Sequence, residues 1–235
     1  MIECKINNNI SMTQSNMIIS IEGNIGSGKS TLLENLQTHF DANKKIIFLE
    51  EPVAEWETIT NANGTTMLQL FYEDQKKHAF AFQMMAYISR LALLKEAVEN
   101  NQNAIIITER SLYTDYMVFA KMLYDSGNIE VQNYKIYLKW FNTFAKDYPI
   151  NKVIYVKATP EICYERITKR SRDGESNIPL SYLINCDKYH TEMLNVMHCE
   201  CFCSNQLILD GNADIYKNNN QLQIWISQIT RFMEI

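Results

Sequence analysis

The chain has 235 residues, 46% of them apolar and 21% charged, enough for one folded domain with its own core. This composition excludes a disordered chain, a collagen and a coiled coil, and no apolar run approaches the roughly 20 residues of a membrane span. Net charge is −5 with Lys and Arg scattered, so the basic face expected of a non-specific nucleic-acid binder is missing.

Residues 1–16 carry one Lys, no Arg and the triplet Asn7-Asn8-Asn9, and read as a mobile tail rather than a secretory or transit signal. Met17-Ile18-Ile19-Ser20-Ile21 is a β-branched apolar run, hence a buried strand. A Gly-rich turn and a helix over 29–40 follow. Residues 46–49 form a second strand, stopped by Pro52. Helices are expected over 66–72 and 76–100, a third strand over 104–108, and helices over 112–126 and 130–147. A fourth strand spans 153–156. Thr159-Pro160-Glu161 then opens a helix with an N-cap threonine, a first-turn proline and an early acid. Residues 206–209 make a fifth strand and 218–233 a closing helix. The strands are continuously apolar and helices separate them, so the class is α/β with a parallel sheet covered on both faces. Residues 17–235 read as a single domain without repeat or linker.

Cysteines stand at 4, 163, 186, 199, 201 and 203. They are too few for a disulfide scaffold at this length, so reduced thiols in a cytoplasmic compartment are expected. Cys199-Glu200-Cys201-Phe202-Cys203, with His190 and His198 near, invites a metal reading. Zinc sites draw cysteines from two separate knuckles, which this run lacks, so these are read as loop or core thiols.

Gly23-Asn24-Ile25-Gly26-Ser27-Gly28-Lys29-Ser30, followed by Thr31, matches G-x-x-x-x-G-K-[ST] between an expected strand and an expected helix. Glycines let the backbone curl its N–H groups inward, Lys29 supplies a point charge to terminal phosphates, and the Ser30 hydroxyl can join a Mg²⁺ shell. The motif argues for nucleotide phosphate binding without separating kinase, ATPase and GTPase. No Asn-Lys-x-Asp-like segment supports guanine binding. The third strand runs into Glu109-Arg110-Ser111, not into the Asp with which ATPases usually hold Mg²⁺.

Four further segments follow in order: Glu51-Pro52-Val53-x-x-Trp56; Phe82-Gln83; Glu109-Arg110-Ser111-x-Tyr113-x-Asp115; and Arg166-x-x-x-Arg170-x-Arg172 before Ile178-Pro179-Leu180-x-Tyr182-Leu183. With the phosphate loop they resemble the deoxyribonucleoside kinase family, from about Met17 to the final helix. The pattern is most similar to the deoxycytidine, deoxyguanosine and deoxyadenosine kinases. The resemblance implies a P-loop NTPase-like fold: a five-stranded parallel sheet, flanking helices, an arginine-rich lid and a homodimer. The implied reaction is ATP plus a deoxynucleoside giving the 5′-monophosphate and ADP, with Mg²⁺.

The residues support each carry-over. Glu51 ends a buried strand, where α/β enzymes place ligands, and can take the 5′-hydroxyl proton; Glu50 is the rival base. Glu109 resembles the family's acid beside Mg²⁺, and Arg110 the arginine that holds the 5′-oxygen and the transferring phosphoryl group. Arg166 and Arg170 share a helix face, with Arg172 just beyond, aimed at the transferring phosphate, while Lys169 points outward. Tyr72 and Glu175 resemble the pair that holds the 3′-hydroxyl; Tyr72 fits a core tyrosine equally well. Gln83, Ala86 and Arg90 share one helix face, where Gln83 can pair with the Watson–Crick edge of cytosine or adenine. Trp56, Phe82 and Phe119 resemble the aromatic walls around the base. Arg90, on the same face as Gln83, is expected to bring its charge into the base pocket; Asp115 resembles its partner in the deoxycytidine and deoxyguanosine kinases, and the pair would close the end where the 5-methyl of thymine would sit. Asp214 belongs to a segment resembling the adenine-contacting loop, but Ile215 stands where an aromatic is common. ATP and a pyrimidine triphosphate therefore both stay open as donor.

Two rivals remain at this level. A nucleoside monophosphate kinase of the thymidylate kinase type shares the loop and lid, but usually carries Asp-Arg after the third strand. A non-catalytic assembly subunit should have lost Lys29, Glu51 or Arg110, and none is lost.

Overall fold

The computed structural model describes residues 16–170, 178–197, 201–215 and 219–234. Five strands, β1 (Met17–Glu22), β2 (Ile46–Leu49), β3 (Ile105–Glu109), β4 (Lys152–Lys157) and β5 (Gln206–Asp210), form one parallel sheet in the order β2-β3-β1-β4-β5. Among the described residues the helices are α1 (Lys29–His39), α2 (Val53–Trp56), α3 (Met67–Glu73), α4 (Gln75–Asn100), α5 (Leu112–Thr114), α6 (Lys121–Asp125), α7 (Val131–Phe144), α8 (Pro160–Arg170), α9 (Leu180–Met193) and α10 (Asn219–Met233). None of them is long and apolar enough to cross a membrane.

Strand side chains alternate between two cores, because successive residues of a strand point to opposite faces. Ile18, Ile106, Val153 and Tyr155 pack under α4, α7 and α9, against Tyr87, Tyr137 and Met193. Ile19, Ile21, Ile107, Ile154 and Val156 pack under α1 and α10, against Leu32, Leu36 and Trp225. This double burial is why the strands read as unbroken apolar runs. Chain order leaves β1 in opposite directions, towards β3 on one side and β4 on the other. A crevice therefore opens at the carboxyl ends of the central strands.

As expected, the helical region between β2 and β3 is divided, and Asp74, whose side chain accepts from the Lys77 N–H at 3.1 Å, caps α4. Just upstream, Thr66 and Gln69 cap α3 reciprocally. The helix expected over 112–126 is three pieces, with a π-helical turn over Asp115–Ala120 between α5 and α6. Such wide turns concentrate at functional sites. α2 and α9 were not expected. The buried face of α9 is Leu183, Cys186, His190 and Met193, a helical spacing that two non-aliphatic residues disguise.

Candidate active site

The loops after β1, β2, β3 and β5 surround one cavity of about 630 Å³, a size suited to small-molecule ligands. At one side lies the phosphate loop, of which Ile25 to Thr31 line the cavity. Gly28 takes φ 104° and leaves α1 without a side-chain cap or a first-turn acid. The first N–H groups of α1 are thus left for an anion.

Gly23 and Asn24, expected among the phosphate contacts, stand behind this wall instead. Gly23 has φ 147°, and a Cβ there would meet the Val156 carbonyl oxygen at 2.5 Å; only glycine fits. Asn24 donates from Nδ2 to the Leu183 carbonyl at 2.9 Å and accepts the Ile25 N–H, tying the loop to α9. Lys29 is buried and donates to the Asn24 carbonyl at 2.8 Å. Burial, then the nearby Arg110, pulls its pKa down to about 8, against the opposing pull of Glu109 and Glu51.

The Ser30 hydroxyl donates to Glu109 Oε1 at 2.8 Å. A hydroxyl and a carboxylate side by side beneath the phosphate loop are hard oxygen donors of the kind Mg²⁺ takes, so the expected pair fits that ion.

Glu51 enters the cavity from the end of β2, 20% exposed, while Glu50 is exposed and lies off it. Arg90 Nη2 donates to Glu51 Oε1 at 2.9 Å, and Arg110 Nε stands 3.2 Å from the same oxygen. Burial would raise the Glu51 pKa, but Arg110, Arg90 and Lys29 outweigh it and hold the carboxyl below its ordinary value. Glu51 is therefore a fixed carboxylate that is ionised at neutral pH. Arg110 itself takes φ 63°, which non-glycine residues rarely adopt. It donates from Nη1 to the Gly23 carbonyl at 2.9 Å, and its guanidinium lies 4.9 Å from the centre of the Phe119 ring.

Arg90 and Asp115 meet, as expected, with Nε to Oδ2 at 2.9 Å. Arg90 does not line the cavity, however, which corrects its placement in the base pocket. Its guanidinium is taken up by Asp115, Glu51 and the Glu109 carbonyl, and it braces both acids from behind. Asp115, Phe119, Gln83 and Ala86 do line the cavity. Burial raises the Asp115 pKa, with Arg90 as the main opposing influence. Gln83 is buried, and its Oε1 has no partner among the described residues. Leaving such an atom unpaired costs about 1–3 kcal/mol, so it calls for a ligand donor.

Trp56 and Phe82 line the same end with rings edge-to-face at 5.6 Å, and Trp56 Nε1 donates to Ser89 Oγ at 2.8 Å. Two further aromatics were missed. Phe71 stacks on Phe82 at 4.6 Å, and Tyr182 stands edge-on to Tyr72 at 6.4 Å, all within the lining. Tyr72 is half-buried there. The apolar spacing of α3 could have flagged Phe71, and Tyr182 stands in the segment 178–183 that carried part of the resemblance without being assigned a role.

Arg166 and Arg170 both line the cavity, but Arg166 is not aimed into it. Its guanidinium donates to the carbonyls of Ser27 at 3.1 Å, Gly211 at 2.8 Å and Ala213 at 3.3 Å, joining the phosphate loop to the loop after β5. Arg170 is exposed at the mouth. Lys169 is 79% exposed, as expected, and also borders the mouth. Arg172 and Glu175 lie outside the described residues, as do Cys199 and His198. Cys163, Cys186 and Cys203 are buried free thiols. Asp214 and Ile215 line the cavity together with Trp225 of α10, an aromatic from a different element than expected.

Residues 19–234 match the deoxynucleoside kinase family. The chain is 32% identical to deoxycytidine kinase 2 of Gallus gallus, over 92% of this chain and 89% of that protein. It is 31% identical to the mitochondrial deoxyguanosine kinase of Xenopus laevis over 86% of this chain and 83% of that one. It is also 34% identical to deoxycytidine kinase of Homo sapiens, over 75% of this chain and 74% of the human protein. With a phosphate loop, a fixed carboxylate and an apolar cavity arranged on the same sheet, the chain belongs to the deoxynucleoside kinase family, whose members are ATP-dependent phosphotransferases.

Proposed function

We propose that this kinase moves the γ-phosphoryl group of ATP to the 5′-hydroxyl of deoxycytidine or a purine deoxynucleoside in preference to thymidine, with Glu51 as base. The observation that carries this is Glu51 itself: a carboxylate, held by Arg90 and Arg110, that lines the same cavity as the phosphate loop. Its free lone pairs accept the 5′-hydroxyl proton. The 5′-oxygen then bonds to the γ-phosphorus as the bond to the β,γ-bridging oxygen breaks, and ADP leaves. Arg110 supplies guanidinium charge to the 5′-oxygen and the moving group, as its fork suits phosphate oxygens. Ser30 and Glu109 would hold a Mg²⁺ ion, which neutralises charge on the β- and γ-oxygens. Lys29 and the N–H groups of Ile25 to Thr31 bind the donor phosphates.

The base end favours a ligand with a donor for Gln83 Oε1, which the amino groups of cytosine and adenine provide. Asp115, braced by Arg90, occupies wall that a 5-methyl would need. Tyr72 fits the sugar, with Glu175 as its partner, and Arg170 with Arg172 would form the cationic part of a lid. Residues 17–235 act as one kinase domain. A cytoplasmic location agrees with the free thiols. A homodimer would cover Ile88 on α4 and Ile136 and Trp140 on α7, neighbouring helices whose apolar side chains are 43–47% exposed; sedimentation of an Ile136→Lys variant tests this.

The reaction is tested by offering deoxycytidine and deoxycytidine monophosphate separately with ATP and following ADP. ADP should form with the nucleoside. Formation only with the monophosphate would instead assign a monophosphate kinase.

A further inference from the structure

His190 of α9 has no exposed surface, and none of the roles above uses it. Its Nδ1 lies 2.7 Å from the Cys186 carbonyl oxygen, one helical turn back. A carbonyl only accepts, so Nδ1 carries the proton and Nε2 presents a bare lone pair. That lone pair faces Arg110 Nη1 across 3.4 Å, a long contact that completes the set around Nη1, whose other partner is the Gly23 carbonyl. The His190 ring also stands edge-on to Phe119 at 6.2 Å, on whose face the Arg110 guanidinium lies. Arg110 is thereby held on three sides, by Glu51 at Nε, by Gly23 and His190 at Nη1, and by Phe119 beneath. Among the described residues Nη2 keeps no bond, and the side chain lines the cavity.

We propose that His190 is a positioning residue, a neutral acceptor that fixes the rotation of the Arg110 guanidinium so that Nη2 is presented to the transferring phosphoryl group. Neutrality is the point of a histidine here. A carboxylate in its place would orient Arg110 equally well but would cancel the charge that the phosphoryl oxygens need. An aliphatic residue would fill the space and leave Nη1 half-satisfied and free to swing. Burial, with Arg110 and then Lys29 adding to it, pulls the His190 pKa down to about 3, against the helping bond to Cys186. The ring therefore stays neutral at any working pH.

This inference rests on the kinase reading, so one test is independent of turnover. In ¹⁵N spectra of the ligand-free full chain, His190 should show Nδ1 protonated and Nε2 bare from pH 6 to 8. The Nε2–H tautomer, or a protonated ring, overturns the proposal whatever the enzyme's reaction. In kinetics, His190→Leu should lower kcat by roughly 10–100-fold, the usual cost of a mispositioned catalytic group, with KM for ATP and nucleoside nearly unchanged. His190→Gln, which keeps an acceptor, should recover part of the rate. In an Arg110→Ala background His190→Leu should cost nothing further, because the residue acts only through Arg110. A loss of equal size in that background, or an unchanged kcat in folded His190→Leu, overturns it. Absence of ADP with every deoxynucleoside for the unmodified chain would instead overturn the kinase reading, and leave the spectroscopic test to decide on His190.

Discussion

The triangle of Asp115, Arg90 and Glu51 makes the sharpest energetic prediction. The side chains of Arg90 and Asp115 are only 4% and 3% exposed, so each ion has given up its water for the other. Removing one partner of such a pair costs about 3–5 kcal/mol. For a domain of this size, each kcal/mol moves Tm by about 2–4 °C. Asp115→Ala should therefore lower Tm by about 6–20 °C, since Arg90 keeps only Glu51 and the Glu109 carbonyl. Arg90→Met strands Asp115, whose pKa burial already raises. A carboxyl with a folded pKa above its unfolded one costs stability once pH passes the unfolded value, and the cost grows until the folded value is reached. Arg90→Met should accordingly be less destabilised at pH 5 than at pH 7. The double variant Arg90→Met with Asp115→Ala leaves neither ion stranded, and Arg110 still holds Glu51. Its loss of Tm should be well below the sum of the two single losses. The same double change opens wall beside the base, and discrimination against thymidine should fall by about 10–200-fold, the value of a methyl group in a pocket. Thermal melts of ligand-free protein at both pH values, with kcat/KM for thymidine and deoxycytidine, measure all of this. A double-variant loss equal to the sum of the singles would show that the three groups are not energetically coupled.

Lys29→Met should abolish turnover without lowering Tm. An ammonium with a pKa pulled down to about 8 destabilises the fold below that pH, a penalty relieved only as pH rises towards 10.5, so circular dichroism melts at pH 7 decide it. Glu51→Gln should lower kcat by roughly 10²–10⁴ while nucleoside binding changes less, and Glu50→Gln should not. Because the cations hold the Glu51 carboxyl below its ordinary 4.5, the acid limb of the wild-type pH–rate profile should lie under that value. The stabilisation those cations give the carboxylate is present above 4.5 and is lost only as pH falls through the lower folded value. Arg166→Ala should raise KM for ATP and lower Tm by loosening two loops, whereas Arg170→Ala should act mainly on kcat; equal kinetic signatures would refute the distinction.

All five strands and the sheet class were legible, because strands buried on both faces must be apolar throughout, and the phosphate loop carries its own spacing. The meeting of Arg90 and Asp115 was legible only through the resemblance, since 25 residues and a strand separate them. What stayed hidden was what side chains do with backbone carbonyls. Arg166 reads as a lid arginine by spacing, yet three carbonyls claim it. Asn24 belongs to the loop motif, yet its amide serves α9. Arg90 shares a helix face with Gln83, yet three acceptors hold it behind the wall. His190 and Cys186 interrupt the aliphatic pattern of α9, and so hid both the helix and the contact with Arg110. The π-helical turn at Asp115, against which α4 and α9 pack, has no sequence signature of its own.

The central claim is tested most directly by kcat/KM for the four deoxynucleosides with ATP. Deoxycytidine and at least one purine deoxynucleoside should be converted to 5′-monophosphates well ahead of thymidine, with one ADP formed per monophosphate. Thymidine turned over as efficiently as the others would contradict the account of the base pocket, and no turnover of any deoxynucleoside would contradict the proposed reaction.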